Sequence, residues 1–114
     1  WKCPYPDFFA DNGFSSRIVL EGSWHDVRDV DLLGESVVLS QDGVQIAEGR
    51  GEMAMGHPAN AVSWLAGKLA DRGKGLEAGQ LVMTGTLTPI LTIEADSTYE
   101  AAFSTLGTVT KAFA

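Results

Sequence analysis

The sequence predicts a single α+β domain, mostly β, with one main helix. Three observations carry this: an amphipathic stretch between Pro58 and Gly73, an Asp42-Gly43 turn between two apolar arms, and period-two alternation over Tyr99–Phe103 and Thr108–Phe113. At 114 residues the chain is of one-domain size and can bury roughly two-thirds of its unfolded surface.

In chain order, two prolines in Trp1-Lys2-Cys3-Pro4-Tyr5-Pro6 argue against helix there, because each pushes its predecessor toward extended backbone. Asp7 to Ala10 suits one helical turn, which Asp11-Asn12-Gly13 ends. Arg17 to Glu21 reads as a short strand, and the polar, acidic Ser23 to Gly34 as a surface connection. Glu35–Ser40 and Val44–Glu48 flank Asp42-Gly43, the strongest short-range hairpin signal. Gly49, Gly51 and Gly56 leave room for close backbone packing before the helix.

Pro58 suits the first helical turn and Gly73 the stop. Between them Ala61, Val62, Trp64, Leu65 and Leu69 recur at helical spacing, opposite Asn60, Ser63, Gly67 and Asp71. The apolar run Gln80–Met83 predicts a central strand that delivers Thr84-Gly85-Thr86-Leu87-Thr88 to a tip. Leu91-Thr92-Ile93 and Tyr99–Phe103 read as an antiparallel pair turning through Glu94–Ser97, and Thr108–Phe113 as the last strand.

Composition narrows the function. The 45% hydrophobic content is that of a soluble globular protein, and 15 acidic against 8 basic residues give a net charge of −7. Without a basic cluster, nucleic acid and anionic membranes are poor partners. No apolar run approaches the length of a membrane span. Cys3 is the only cysteine, which excludes an internal disulfide or a cysteine metal cluster and fits a reducing cytoplasm. The first residue, Trp1, suggests a trimmed or partial product.

Gly56–Ala66 (GHPANAVSWLA), Leu76–Gln80 (LEAGQ) and Thr84–Thr88 (TGTLT), with Ala10-Asp11-Asn12 and Leu106–Val109, fall in an order and spacing that is fairly specific. Together they resemble the C-terminal half of the 2-oxopent-4-enoate (2-keto-4-pentenoate) hydratases and their sister 4-oxalocrotonate decarboxylases, in the fumarylacetoacetate hydrolase superfamily. The resemblance covers essentially the whole chain, as the C-terminal part of a longer protein. It implies a rolled, barrel-like β-structure and hydro-lyase chemistry on 2-hydroxydienoates or 2-oxoenoates from aromatic-ring degradation; a homo-oligomer is expected because a half-domain without its covering segment should expose apolar surface. It also implies a magnesium or manganese ion that chelates the substrate and stabilises an enolate. A decarboxylase or carbon–carbon hydrolase fragment, or a binding module that kept the fold without the chemistry, are the alternatives.

The site residues implied by the resemblance are Asp11, Asn12 and Ser15, with Thr84, Gly85 and Thr86 at the tip. Phe14 stands where the family pattern has a small residue. Threonine hydroxyls and backbone N–H groups can hold a carboxylate without net charge, and Thr86 is the expected centre. His57, before Pro58, reads as a helix cap, and Asn60 as helix-end organisation. The family's metal site uses Glu-x-Glu and a third glutamate, whereas Glu35, Glu48 and Glu52 are isolated here. Lys68 and Lys74, at the helix end and turn, do not match the family lysine. The chain alone is expected to hold no metal and to turn over no substrate.

Overall fold

The computed structural model describes residues 6–7, 17–20 and 22–114. Strands β1 (Ser36–Gln41), β2 (Val44–Arg50), β3 (Ser97–Phe103) and β4 (Gly107–Phe113) form one antiparallel sheet in the order β2-β1-β3-β4. Helix α1 (Pro58–Ala70) follows β2 after a 3-10 turn at Gly51–Met53. Among the described residues this sheet is open, with β2 and β4 as its edges, so the closed barrel expected from the resemblance is not formed by them.

The hairpin forms where the sequence marks it. Asp42 and Gly43 take φ of 50° and 81°, the paired positive values of a two-residue turn that matches strand twist. Gln41 faces Val44 across it, and a bulge at Leu39/Ser40 resets the register. The turn then docks on β3: Asp42 N–H donates to the Thr98 carbonyl and Asp42 Oδ1 accepts from Thr98 N–H, both at 2.8 Å. The helix begins as its sequence requires, with His57 Nδ1 accepting from Ala59 N–H at 3.0 Å and Pro58 at the first position. Asn60 Nδ2 donates to the Met55 carbonyl at 2.9 Å, which ties the helix start to its approach.

Three strand expectations fail for one reason. Arg17–Leu20, Gln80–Met83 and Leu91–Ile93 are not strands, while Glu21 lies outside the described residues. Each run is apolar enough, but none finds a neighbouring strand among the described residues to complete its backbone hydrogen bonds. Leu81 and Met83 stay 54% and 67% exposed. Tyr99–Phe103 pairs instead with β1 and β4. Pro6 and Asp7 are helical, so the extended reading fails at Pro6, a residue a first helical turn tolerates. The remainder of that turn, residues 8–10, lies outside the described residues.

One face of the sheet carries the apolar side chains Val37 and Leu39 of β1, Tyr99, Ala101 and Phe103 of β3, and Val109 and Phe113 of β4. Val37 and Tyr99 are buried there, and the Tyr99 and Phe113 rings meet edge to face at 5.6 Å. Residues 83–91 and Ile93 line the cavities over this face. Glycine at 49 permits their close approach, since a Cβ there would lie 1.9 Å from the Leu87 carbonyl oxygen. Tyr99 Oη accepts from Glu94 N–H at 3.0 Å, and Gln41 Nε2 donates to the Glu94 carboxylate at 3.0 Å, so the segment's far end is pinned. Helix α1 has no buried residue; its expected core residue Trp64 is 57% exposed.

Candidate functional site

A cavity of about 890 Å³ opens between the apolar sheet face and the Met83–Thr88 segment. Val37, Leu39, Ala101 and Phe103 line it from the sheet, with Leu106 from the β3–β4 turn. Thr84, Gly85 and Thr86 all line it, so the predicted tip is brought to a concave, largely apolar site. A smaller cavity of about 310 Å³ lies over the same face beside Tyr99 and Phe113, sharing Leu39, Thr88 and Ala101 with the first.

The three tip residues are not equivalent. Thr86 Oγ1 donates to the Thr88 carbonyl at 2.7 Å and accepts from Thr88 N–H at 3.3 Å, so its proton is committed within the segment. The half-buried Thr84 hydroxyl makes no hydrogen bond among the described residues. The backbone N–H groups of Thr84, Gly85 and Thr86 likewise have no acceptor among the described residues. Gly85 takes φ 121°, a conformation rarely open to side-chain-bearing residues, and this lets the segment turn at the cavity. Uncommitted donors at an apolar cavity suit an anionic oxygen. Asp11, Asn12 and Ser15 lie outside the described residues.

Glu35, set aside in the sequence as isolated, is a buried residue in the cavity lining, with 4% exposure. Oε1 accepts from Ser104 Oγ at 2.9 Å and from Thr105 N–H at 2.8 Å, while Oε2 accepts a very short bond from Thr105 Oγ1. Its backbone carbonyl accepts from Gly51 N–H at 2.8 Å. Burial alone would raise its pKa, but the bonds from Thr105, Ser104 and the Leu106 backbone outweigh it and hold the carboxyl below its ordinary range. The partners stand about 70 positions away in sequence, where only a Ser-Thr pair between two strands hinted at them. His25 also reaches this turn, its Nε2 lying 3.2 Å from the Leu106 carbonyl oxygen.

The acids of the described residues do not assemble a cation site. Among the described residues no three His, Cys, Asp or Glu side chains cluster as metal ligands. Glu35 is saturated by its donors, Glu48 accepts from Gln45, and Glu52 pairs with Arg50 at 3.7 Å. This donor set does not fit the hard divalent ion that the resemblance implies. No helix among the described residues is long and apolar enough to cross a membrane.

No family model matches the chain. A 2-keto-4-pentenoate hydratase of Paraburkholderia phymatum is 37% identical over 113 residues, 99% of this chain and 43% of that protein. A 4-oxalocrotonate decarboxylase of Pseudomonas putida is 34% identical over 104 residues, 91% of this chain and 39% of that protein. The solved 4-oxalocrotonate decarboxylase of Pseudomonas putida G7, complexed with magnesium and adipate, superposes with a TM-score of 0.93 at 31% identity, over 100% of this chain and 43% of the other. The same enzyme with calcium and acetate gives a TM-score of 0.88 at 32% identity, over 94% of this chain and 41% of the other. The chain thus spans about two-fifths of the length of the relatives it matches.

Proposed function

We propose, from the premise that this chain is a homologue of 2-keto-4-pentenoate hydratases and 4-oxalocrotonate decarboxylase, that it is the substrate-side part of a hydratase. The whole protein would act on short 2-hydroxydienoates or 2-oxoenoates from aromatic-compound degradation, in the cytoplasm and as a homo-oligomer. This chain would be its C-terminal domain, and the rolled barrel would close only with segments beyond the four strands. The observation that carries the reading is the Thr84–Thr86 row of uncommitted donors on a large apolar cavity.

The chain's own residues would act by binding and orientation. The Thr84 hydroxyl and the Thr84–Thr86 N–H groups would hold the carboxylate, while Met83, Ile90, Phe103 and Leu106 cover the carbon chain and limit water. Hydration adds water across the conjugated carbon–carbon double bond, hydroxyl to one carbon and a proton to the other. The solved relatives carry magnesium or calcium; in the whole protein such an ion would be held by acids that these residues do not supply. Asp11, Asn12 and Ser15 remain candidate substrate contacts.

The test is an amide-resolved NMR titration with 2-oxopentanoate. Shifts centred on Thr84–Thr88 are expected; shifts spread over the exposed helix, or none, would sink the reading. A decarboxylase is the second reading, favoured by the two structural matches. Product analysis of the whole protein, hydroxylated acid against carbon dioxide, separates the two.

A further inference from the structure

Among the described residues lining the large cavity, Glu35 carries the only charged side chain. Lysine, arginine and histidine are absent among those described residues. The Glu35 carboxylate is met by Ser104 Oγ, Thr105 N–H and Thr105 Oγ1. Thr105 N–H can only donate and the two hydroxyls are free to donate, so this set of partners suits the ionised form. The rest of the described lining is apolar, glycine or threonine, a medium that screens charge far less than water does.

We propose that Glu35 is a specificity-determining residue that restricts the cavity to acids with a single carboxylate. The inference rests on the reading above, in which one carboxylate sits at Thr84–Thr86. An acid with one carboxylate leaves an uncharged tail for the Met83, Ile90, Phe103 and Leu106 surface. An acid with a second carboxylate at its far end carries that charge into a poorly screened space where the described residues place a fixed negative group and no cation. Discrimination therefore comes from a repulsive element rather than from a better contact. It separates the two substrate classes named among the relatives, since a pentenoate has one carboxylate and an oxalocrotonate has two.

The test compares pentanoate with glutarate, acids of equal carbon count, by amide-resolved NMR titration of the full chain. Pentanoate is expected to bind at least tenfold more tightly, with both acids sensed at Thr84–Thr88. Glu35→Gln keeps the side-chain shape and one acceptor, and should bring the ratio to within about threefold. Ile90→Lys adds a cation to the lining at a position already 71% exposed, so folding is spared, and it should favour glutarate. Equal binding of both acids by the unaltered chain, or a ratio unmoved in both variants, would overturn the inference alone. Failure of either acid to perturb Thr84–Thr88 would overturn the functional reading and this inference with it.

Discussion

The Glu35 carboxylate and the Thr105 backbone N–H lie 2.8 Å apart although 70 positions separate them. With Ser104 Oγ and Thr105 Oγ1 on the same carboxylate, this contact joins the start of β1 to the β3–β4 turn. Glu35→Ala removes the acceptor and strands these donors, so a loss of about 1.5–3 kcal/mol is expected. A urea midpoint unchanged in this variant would show that water replaces the carboxylate without cost.

The same carboxyl gives a pH dependence of known sign. Its folded pKa lies below the ordinary 4.5, so its stabilisation is fully present above that value and is lost as pH falls through the folded pKa. Unfolding midpoints between neutral pH and about pH 3 should fall more steeply for the unaltered chain than for Glu35→Gln. Parallel curves would remove Glu35 from the acid sensitivity.

At the start of α1, His57→Ala loses the acceptor for Ala59 N–H and should cost about 1 kcal/mol. His57→Asn, which can accept the same bond, should recover most of it. Thermal unfolding followed by far-ultraviolet circular dichroism reads both.

Gly49→Ala tests the fit between β2 and the tip segment. A methyl group there would meet the Leu87 carbonyl oxygen at 1.9 Å, with backbone rather than a flexible side chain in the way. A destabilisation of about 1–3 kcal/mol is expected, with amide shifts that reach Thr84–Thr88. Gly43→Ala meets open space but sits at φ 81°, so its cost should come from backbone strain and stay local.

Exposed apolar side chains on α1 and on the 81–93 stretch, among them Trp64, Leu81, Met83 and Ile90, predict self-association. Light scattering should show a mass that rises with concentration. A monomer throughout would count against it.

The elements legible in the sequence are those whose cause is local. Asp42-Gly43 fixes its hairpin by backbone conformation, and His57-Pro58 fixes a helix start within three residues. What was not legible depends on partners far along the chain. Gln80–Met83 has strand composition yet no strand beside it among the described residues. Glu35 looked isolated because its donors belong to a turn that only the β1–β3 pairing brings near. At the tip, the resemblance selected Thr84–Thr86, but it could not show that Thr86 spends its proton on Thr88 while Thr84 does not.

The strand order β2-β1-β3-β4 also dictates how the molecule must assemble. Two hairpins close locally, whereas the seam from Val37↔Phe103 to Gln41↔Tyr99 must wait for the ends of a long excursion to meet. Local hairpins form in microseconds, and non-local pairing slows folding. Val37 and Phe103 form the seam and also line the large cavity. Val37→Ala should therefore slow refolding in stopped-flow measurements, whereas His57→Ala should chiefly speed unfolding. The cavity then arises last, when the two hairpins join, and a chain caught before that step has its secondary structure but nowhere to hold a ligand.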